Sequence, residues 1–274
     1  MRSKSIWKSD HPTRLSRMPK TPPPSGPPQR PSDAAARRSL IAAARQLSVS
    51  VDALPFASPV THVYNPLQYA WESHRRYLEL CQPSTTRVLF LGMNPGPWGM
   101  AQTGVPFGQV EAVRDWLGID AQVDRPASEN PKRPIQGFGC RRSEVSGQRL
   151  WGLFRDRFGE PTAFFREHFV FNYCPLVFME ASGRNRTPDK LPAAERQPLD
   201  AVCDEHLSQV LRILRPEVVI GVGGYAEACL RRVVDGGGQA CRVARVLHPS
   251  PASPLANRGW GQQASAELIA AGVW

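Results

Sequence analysis

The sequence predicts an α/β protein in which a central parallel sheet is flanked by helices on both faces. Four short apolar segments, each typical of a buried strand, alternate with segments whose apolar residues recur at helical spacing. Strands that alternate with helices form parallel sheets, because each helix returns the chain to the starting edge of the sheet. The predicted strands cover residues 87–92, 168–172, 217–220 and 241–247.

Folded structure is predicted to begin at Ser32 and Asp33, a pair that favours a helix N-terminus, followed by Leu40 and Leu47 on one helical face. The chain has 274 residues, of which 41% are hydrophobic, so it can bury a core of this size. We expect one domain over residues 32–274. Further helices are predicted over 67–80, 109–117, 146–158, 199–214 and 224–234.

Residues 1–31 are predicted to form a disordered, basic, proline-rich arm. They contain eight prolines and almost no apolar periodicity, so they cannot bury enough surface to offset the entropy of ordering. Most of the net charge of +10 lies in residues 1–38, which hold nine basic and two acidic residues. The charge therefore indicates little about the partners of the folded part.

Composition excludes several classes of protein. No run of eighteen apolar residues is present, and no short apolar run follows the basic N-terminus, which argues against a membrane span and a secretory signal. None of the six cysteines forms a C-x-x-C pair, so zinc ribbons and cysteine-ligated iron–sulfur clusters lack their usual spacing. We expect a soluble intracellular protein with reduced thiols and no bound metal.

Three loops follow predicted strands and are the candidate sites, because ligands of parallel sheets bind beyond the carboxyl ends of the strands. The first, 92–108, is rich in glycine and proline and carries one asparagine and two aromatic residues. The second runs from Asn172 to Phe178 and is followed by the polar segment 182–188. The third, 248–260, begins with His248-Pro-Ser-Pro251.

In this order, and each after a strand, the loops resemble those of the single-strand-selective monofunctional uracil-DNA glycosylases. The resemblance covers roughly residues 40–270 and extends to four further motifs: Tyr64-Asn-Pro66, Tyr69-Ala-Trp-Glu-Ser-His74, Pro131-Lys-Arg-Pro134 and Ser143-Glu-Val-Ser-Gly147. It implies a uracil-glycosylase fold without metal or cofactor. It also implies excision of uracil and of C5-oxidised uracils, such as 5-hydroxymethyluracil, from a nucleotide that is flipped out of the DNA.

The resemblance assigns the base-binding residues. Phe107 would stack on the flipped pyrimidine, and Asn172 would offer its C=O to uracil N3–H and its NH2 to O4, a pattern that cytosine cannot match. Judged on spacing alone, the favoured interpretations are a core residue for Phe107 and a strand-end residue that caps a turn for Asn172. Backbone N–H groups near Met93 would bind uracil oxygens, and Gly96 would leave room beside C5 where uracil-N-glycosylases carry a bulky Tyr.

Catalysis is assigned to two side chains. Cleavage leaves negative charge on the departing base, so a donor at O2 and a positioned water at C1′ are required. His248 suits the first role, and Asn94, where uracil-N-glycosylases carry an Asp, suits the second. No lysine occupies the three loops, which predicts an enzyme without lyase activity.

Contacts with DNA are predicted for two groups of residues. Loop 248–260 resembles the segment that wedges into the duplex, but Ala252 stands where better-known members carry Arg, so single-stranded DNA should be favoured over double-stranded DNA. Within this loop the candidates are Ser250, Pro251, Ala252 and Arg258. Candidate phosphate contacts are Lys132, Arg133, Arg184 and Arg186. We expect a monomer, in the nucleoid of a bacterium or the nucleus of a eukaryote.

Two other functions fit parts of this sequence. The segment Gly221-Val-Gly-Gly-Tyr-Ala226 follows a strand and precedes a helix, as in a Rossmann-like nucleotide-binding enzyme, yet residues 237–247 offer no acid to hold a ribose. A catalytically inactive DNA-binding module is the other possibility, and the joint presence of Asn94, Asn172 and His248 argues against it.

Overall fold

A computed structural model describes residues 32–237 and 240–274, and all of them belong to one compact unit. The predicted arm, 1–31, lies outside the described residues. At the centre is a four-stranded parallel sheet, which confirms the predicted fold class. Its strands are β2 (Val88–Gly92), β3 (His168–Asn172), β6 (Val218–Val222) and β7 (Arg242–Val246), and their order across the sheet is β3-β2-β6-β7.

Nine α-helices occur in the described residues. Ser32 caps the first of them, as expected, by accepting a hydrogen bond from the N–H of Ala35. The helices are α1 (Asp33–Asp52), α2 (Pro66–Tyr69), α3 (Trp71–Glu79), α4 (Met100–Thr103), α5 (Val145–Phe158), α6 (Pro161–Phe165), α7 (Ala193–Leu214), α8 (Gly224–Gly237) and α9 (Trp260–Ala270). Helices α5 and α8 match the predicted spans closely, α7 begins six residues before the predicted 199, and α9 was not predicted.

A second, antiparallel sheet was not predicted. Strand β1 (Val60–Tyr64) pairs with β4 (Val177–Glu180), which pairs with the two-residue β5 (Asn185–Arg186). Residues 177 and 178, expected in a loop, therefore lie in a strand. The pairing of β1 is interrupted by a bulge between Val60 and His62, and a short bulged strand leaves little alternation in the sequence.

Two predicted helices differ in detail. The helix expected over 67–80 is broken at Ala70, whose φ of −112° and ψ of 28° end α2 before α3 begins. The helix expected near 109–117 is a wide π-turn over Ala112–Trp116. The Gln109 side chain precedes this turn and accepts the N–H of Ala112.

The sheet places two loop origins side by side. Gly92 at the end of β2 is paired in register with Asn172 at the end of β3. Beyond the strands the pairing continues, since Tyr173 N–H donates to Gly92 O and Cys174 N–H to Met93 O. All five residues of each of these strands are buried, so the start of both loops is fixed by the core.

Candidate active site

A pocket of about 350 Å³ opens at the carboxyl ends of the parallel strands. All three candidate loops contribute to it, as expected for ligand sites of parallel sheets. The seven predicted residues that meet here are Met93, Asn94, Gly96, Phe107, Asn172, His248 and Ser250. Pro95, Pro97, Met100, Glu144, Ser146, Asn185 and Thr187 complete the lining. The volume is within the range of sites for small molecules.

Asn172 presents a fixed and partly unsatisfied amide to this pocket. It is 8% exposed, its Nδ2 lies 3.2 Å from the weak acceptor Met100 Sδ, and its Oδ1 has no hydrogen-bond partner. A buried polar atom without a partner is costly, so a ligand that donates to Oδ1 gains the full benefit of that hydrogen bond. Asn172 can therefore read a neighbouring donor and acceptor on one edge of a base.

Gly92 makes the approach of Asn172 and Phe107 possible. A Cβ at position 92 would overlap Asn172 Oδ1 and would lie 2.5 Å and 2.7 Å from Phe107 Cε2 and Cζ. Only a residue without a side chain leaves room for both groups, which is why a buried strand ends in glycine here.

Phe107 is held in a strained backbone conformation, with φ at +54°. Such values are rare for residues other than glycine and persist only where the surroundings impose them. Trp151 in α5 donates its indole N–H to Pro106 O, and the first turn of α5 packs at Gly147, where a Cβ would overlap Phe107 O. The ring is thereby held 6.2 Å from the His248 ring, between centroids.

His248 is fixed as a neutral hydrogen-bond donor. Its Nδ1 accepts the N–H of Ser250 at 3.1 Å, so in the neutral ring the proton is on Nε2. Burial lowers the pKa of His248 below its usual 6.5, because the charged imidazolium loses solvation. A neutral imidazole with Nε2–H available can stabilise an anion that develops in the pocket.

Asn94 is oriented by the end of the second loop. Its Nδ2 donates to Leu176 O at 3.1 Å and makes a longer contact of 3.4 Å with Pro95 O. The amide oxygen is the remaining acceptor of the side chain and is suited to hold a water molecule.

Glu144 was not among the predicted site residues, although it lies within one of the quoted motifs. Its carboxyl group accepts the N–H of Trp98, and burial raises its pKa. A Cβ at Gly96 would lie 2.7 Å from Cδ of Glu144, so the space predicted to be open beside Gly96 is occupied by this carboxyl group. Its motif could have drawn attention to Glu144, but only the fold shows that its carboxyl group lines the pocket.

Of the predicted wedge residues, Ser250 lines the pocket, and Pro251 and Ala252 follow it as exposed residues. The N–H of Ala252 donates to Ser250 Oγ. Asn257 holds the loop by donating to Pro251 O. Arg258 is not in the pocket but lines an adjoining groove of about 950 Å³, which His248 also borders.

The four predicted phosphate contacts differ in their surroundings. Lys132 and Arg184 are exposed, and Arg133 lies over the Trp98 ring, 5.0 Å from its centroid. Arg186 is bound to Glu180, with Nη2 to Oε1 at 3.0 Å, and also donates to Lys190 O. This half-buried ion pair argues against Arg186 as a phosphate contact.

The Rossmann-like glycine turn has a packing role. A Cβ at Gly221 would lie 2.6 Å from Cα of Glu227 in α8, and one at Gly223 would lie 3.0 Å from Cβ of His248. The lack of a side chain at Gly221 allows α8 to pack closely against β6, and the lack of one at Gly223 leaves room for His248. No group of three or more His, Cys, Asp or Glu side chains in the described residues is arranged to hold a metal ion. Nor does any described helix have the length and apolar character to cross a membrane.

Comparison with known proteins shows the family to which the chain belongs. The profile of the Uracil DNA glycosylase superfamily matches residues 78–268, so the chain belongs to that superfamily. A rat protein named single-strand selective monofunctional uracil-DNA glycosylase is 50% identical over 228 residues, or 83% of this chain and 82% of its own length. A bovine protein of the same name is 50% identical over 220 residues, or 80% and 81% of the two chains. Within the superfamily, the chain is a member of the single-strand-selective monofunctional family.

A solved structure supports the fold independently. The crystal structure of wild-type Pedobacter heparinus SMUG2 aligns with a TM-score of 0.58 and 17% sequence identity, covering 84% of this chain and 97% of that one. At this identity the likeness concerns the fold alone.

Proposed function

We propose that this uracil-DNA glycosylase excises uracil, and uracils oxidised at C5, by hydrolysing the N-glycosidic bond of a flipped nucleotide in the pocket described above. The observation that carries the proposal is the unsatisfied Oδ1 of Asn172 beside the Nδ2 of the same amide. Uracil N3–H and O4 complement these atoms, whereas cytosine presents an acceptor and a donor in the reverse order. Phe107 supplies a ring face for the base.

In the proposed mechanism, the N1–C1′ bond breaks and its electron pair moves to the uracil ring, with charge spread to O2. The Nε2–H of His248 donates to O2 and stabilises this anion, without a change in the charge of the imidazole. Asn94 accepts a hydrogen bond from a water molecule, whose oxygen bonds to C1′ and whose proton passes to solvent as the uracil anion leaves. Because the amide of Asn94 is not a base, most of the rate enhancement comes from leaving-group stabilisation and positioning.

Two finer features of the proposal concern the substrate. The Gly96 backbone and the Glu144 carboxyl border the pocket, and a hydroxymethyl group at C5 would find polar atoms there. Ala252 offers only a methyl group to fill the gap left in a duplex, so single-stranded and mispaired uracil should be cleaved faster than uracil paired with adenine.

The test is single-turnover cleavage of oligonucleotides with one lesion each, uracil, 5-hydroxymethyluracil or thymine, in single-stranded, U·G and U·A contexts. We expect release of uracil and 5-hydroxymethyluracil in EDTA, retention of thymine, and an intact abasic strand. Metal dependence, or a borohydride-trapped enzyme–DNA adduct, would contradict the monofunctional mechanism. Ala252→Arg should raise duplex activity selectively, and an unchanged ratio of duplex to single-strand activity would remove this loop from the proposal.

A further inference from the structure

Two arginines converge on one indole at the rim of the pocket. The guanidinium carbon of Arg133 lies 5.0 Å from the centroid of the Trp98 ring, and that of Arg142 lies 4.7 Å from it. Guanidinium groups at these distances interact favourably with an aromatic ring. The arrangement places two positive charges next to Pro97, which lines the pocket.

Neither charge is neutralised within the described part of the chain. No carboxylate there lies within ion-pair distance of Arg133 or Arg142, although many other arginines are paired, as Arg186 is with Glu180. Arg133 Nε is buried and has no hydrogen-bond partner, while its Nη1 donates only to the neighbouring Lys132 O. Two like charges beside one ring, with no carboxylate of the described residues paired to either, indicate that an anion from a ligand completes the cluster.

The cluster is built on rigid supports that it shares with the pocket. Buried Gln102 donates to Pro97 O and to Pro134 O, and so connects the Trp98 loop to the Arg133 loop. Tyr64 fixes the Arg133 backbone by donating to its carbonyl oxygen. On the other side, Glu144, two residues after Arg142, accepts the N–H of Trp98. Bound anion and flipped base would therefore be held in a fixed relation.

We propose that Trp98, Arg133 and Arg142 form a subsite for a phosphodiester of the DNA strand next to the flipped nucleotide. The proposal rests on the proposed function, which supplies a polyanionic strand with its base in the adjoining pocket. Guanidinium donors match the phosphate oxygens, and the indole keeps the two side chains extended over the rim when DNA is absent. Trp98 and Arg142 thereby acquire a role in binding the strand.

The test is the salt dependence of binding to a single-stranded oligonucleotide that carries one 2′-fluoro-2′-deoxyuridine, whose N-glycosidic bond resists cleavage. Each lost phosphate contact should reduce the slope of log K against log salt by about 0.7, which corresponds to roughly fivefold weaker binding at 0.1 M salt when the affinities converge at 1 M. We expect this reduction in slope and this weaker binding for Arg142→Gln and for Arg133→Gln. Trp98→Ala should weaken binding, whereas Trp98→Phe, which retains a ring face for the guanidinium groups, should bind the oligonucleotide as tightly as the wild type.

Arg166→Gln is the matched control. Arg166 is exposed and precedes β3, so it lies at the edge of the sheet opposite Asn172 and the pocket. The slope of this variant should equal that of the wild type. The proposal is overturned if Arg142→Gln keeps the wild-type slope of log K against log salt. It is also overturned if Arg166→Gln reduces that slope as much as Arg142→Gln does. Failure of the proposed function would be distinct, because the unmodified enzyme would then release no uracil from cleavable DNA whatever the slope.

Discussion

Gly92→Ala is expected to disable the pocket while leaving the sheet formed. The added methyl group would overlap Asn172 Oδ1 and approach Phe107 Cε2 to 2.5 Å. Ordinary contacts of a Cβ are 3.4–4 Å, so the two groups together must move by about 1 Å. Asn172 belongs to a strand in register with β2, and Phe107 is held by its neighbours, so neither can yield freely.

The size of the effect follows from this displacement. Misplacing reacting groups by about 1 Å can cost about 100-fold in rate, and crowding a packed interior costs about 1–3 kcal/mol of stability. We therefore expect the single-turnover rate with single-stranded uracil DNA to fall about 100-fold. The free energy of unfolding should fall by an amount that leaves the protein folded at 25 °C, since typical domains have about 5–15 kcal/mol.

Gly152→Ala provides the control. No heavy atom lies within 4 Å of a Cβ at Gly152, which is in the interior of α5, so alanine there should stabilise the helix by up to about 1 kcal/mol. Both variants are compared by single-turnover kinetics and by denaturant unfolding. Near-wild-type cleavage by Gly92→Ala would refute the argument, because the crowding of Asn172 and Phe107 would then have no bearing on catalysis.

Further predictions concern other pocket residues and buried histidines. Asn172→Asp should lower the uracil cleavage rate by at least about 100-fold, because the donor for O4 is lost, and a smaller loss measured under single turnover would contradict base reading by this amide. Asn94→Ala should slow single-turnover cleavage with little change in DNA affinity, and full activity would exclude water positioning by Asn94. Burial lowers the pKa values of His74, His168 and His206 from 6.5 to about 4. Between these pH values the unfolded chain binds more protons, so the free energy of unfolding should decrease as pH falls from 6.5 towards 4, by about 1.4 kcal/mol per pH unit for each histidine. Denaturant titrations at several pH values measure this slope, and a flat profile down to pH 5 would exclude it.

The central sheet could be predicted because its strands are apolar throughout and lie between helices. β2, for example, is buried along its whole length, as the continuous apolar run Val88-Leu-Phe-Leu91 predicts for a strand covered on both faces. Since strand ends define the ligand edge, the approximate positions of Asn94, Asn172 and His248 followed as well. Their convergence on one pocket is seen in the structure.

Features that depend on distant contacts could not be predicted from local pattern. β1 is stabilised by pairing with β4, more than a hundred residues away, and its own burial is mixed. Arg186 is a basic residue in a polar segment, and only folding shows that Glu180 binds its guanidinium. Glu144 is likewise drawn into the pocket by the close packing of Gly96 and Gly99 against it.

The hydrogen bond from Ser250 N–H to His248 Nδ1 has a consequence for engineering this enzyme. Ser250 belongs to the same short loop as Ala252, so the segment proposed to contact the DNA also fixes the tautomer of the proposed catalytic histidine. Arg149 in α5 anchors the base of this loop at Pro249 O and Asn257. Loop 248–260 therefore cannot be exchanged without an effect on His248. A transplanted loop could bind a duplex more tightly and yet displace Ser250, and His248 Nδ1 would then be free to carry the proton. Nε2 would lose its hydrogen in that tautomer. The backbone of loop 248–260 thus affects both the choice of DNA substrate and the protonation of His248. Engineered variants should therefore change side chains of the loop and keep its backbone in place.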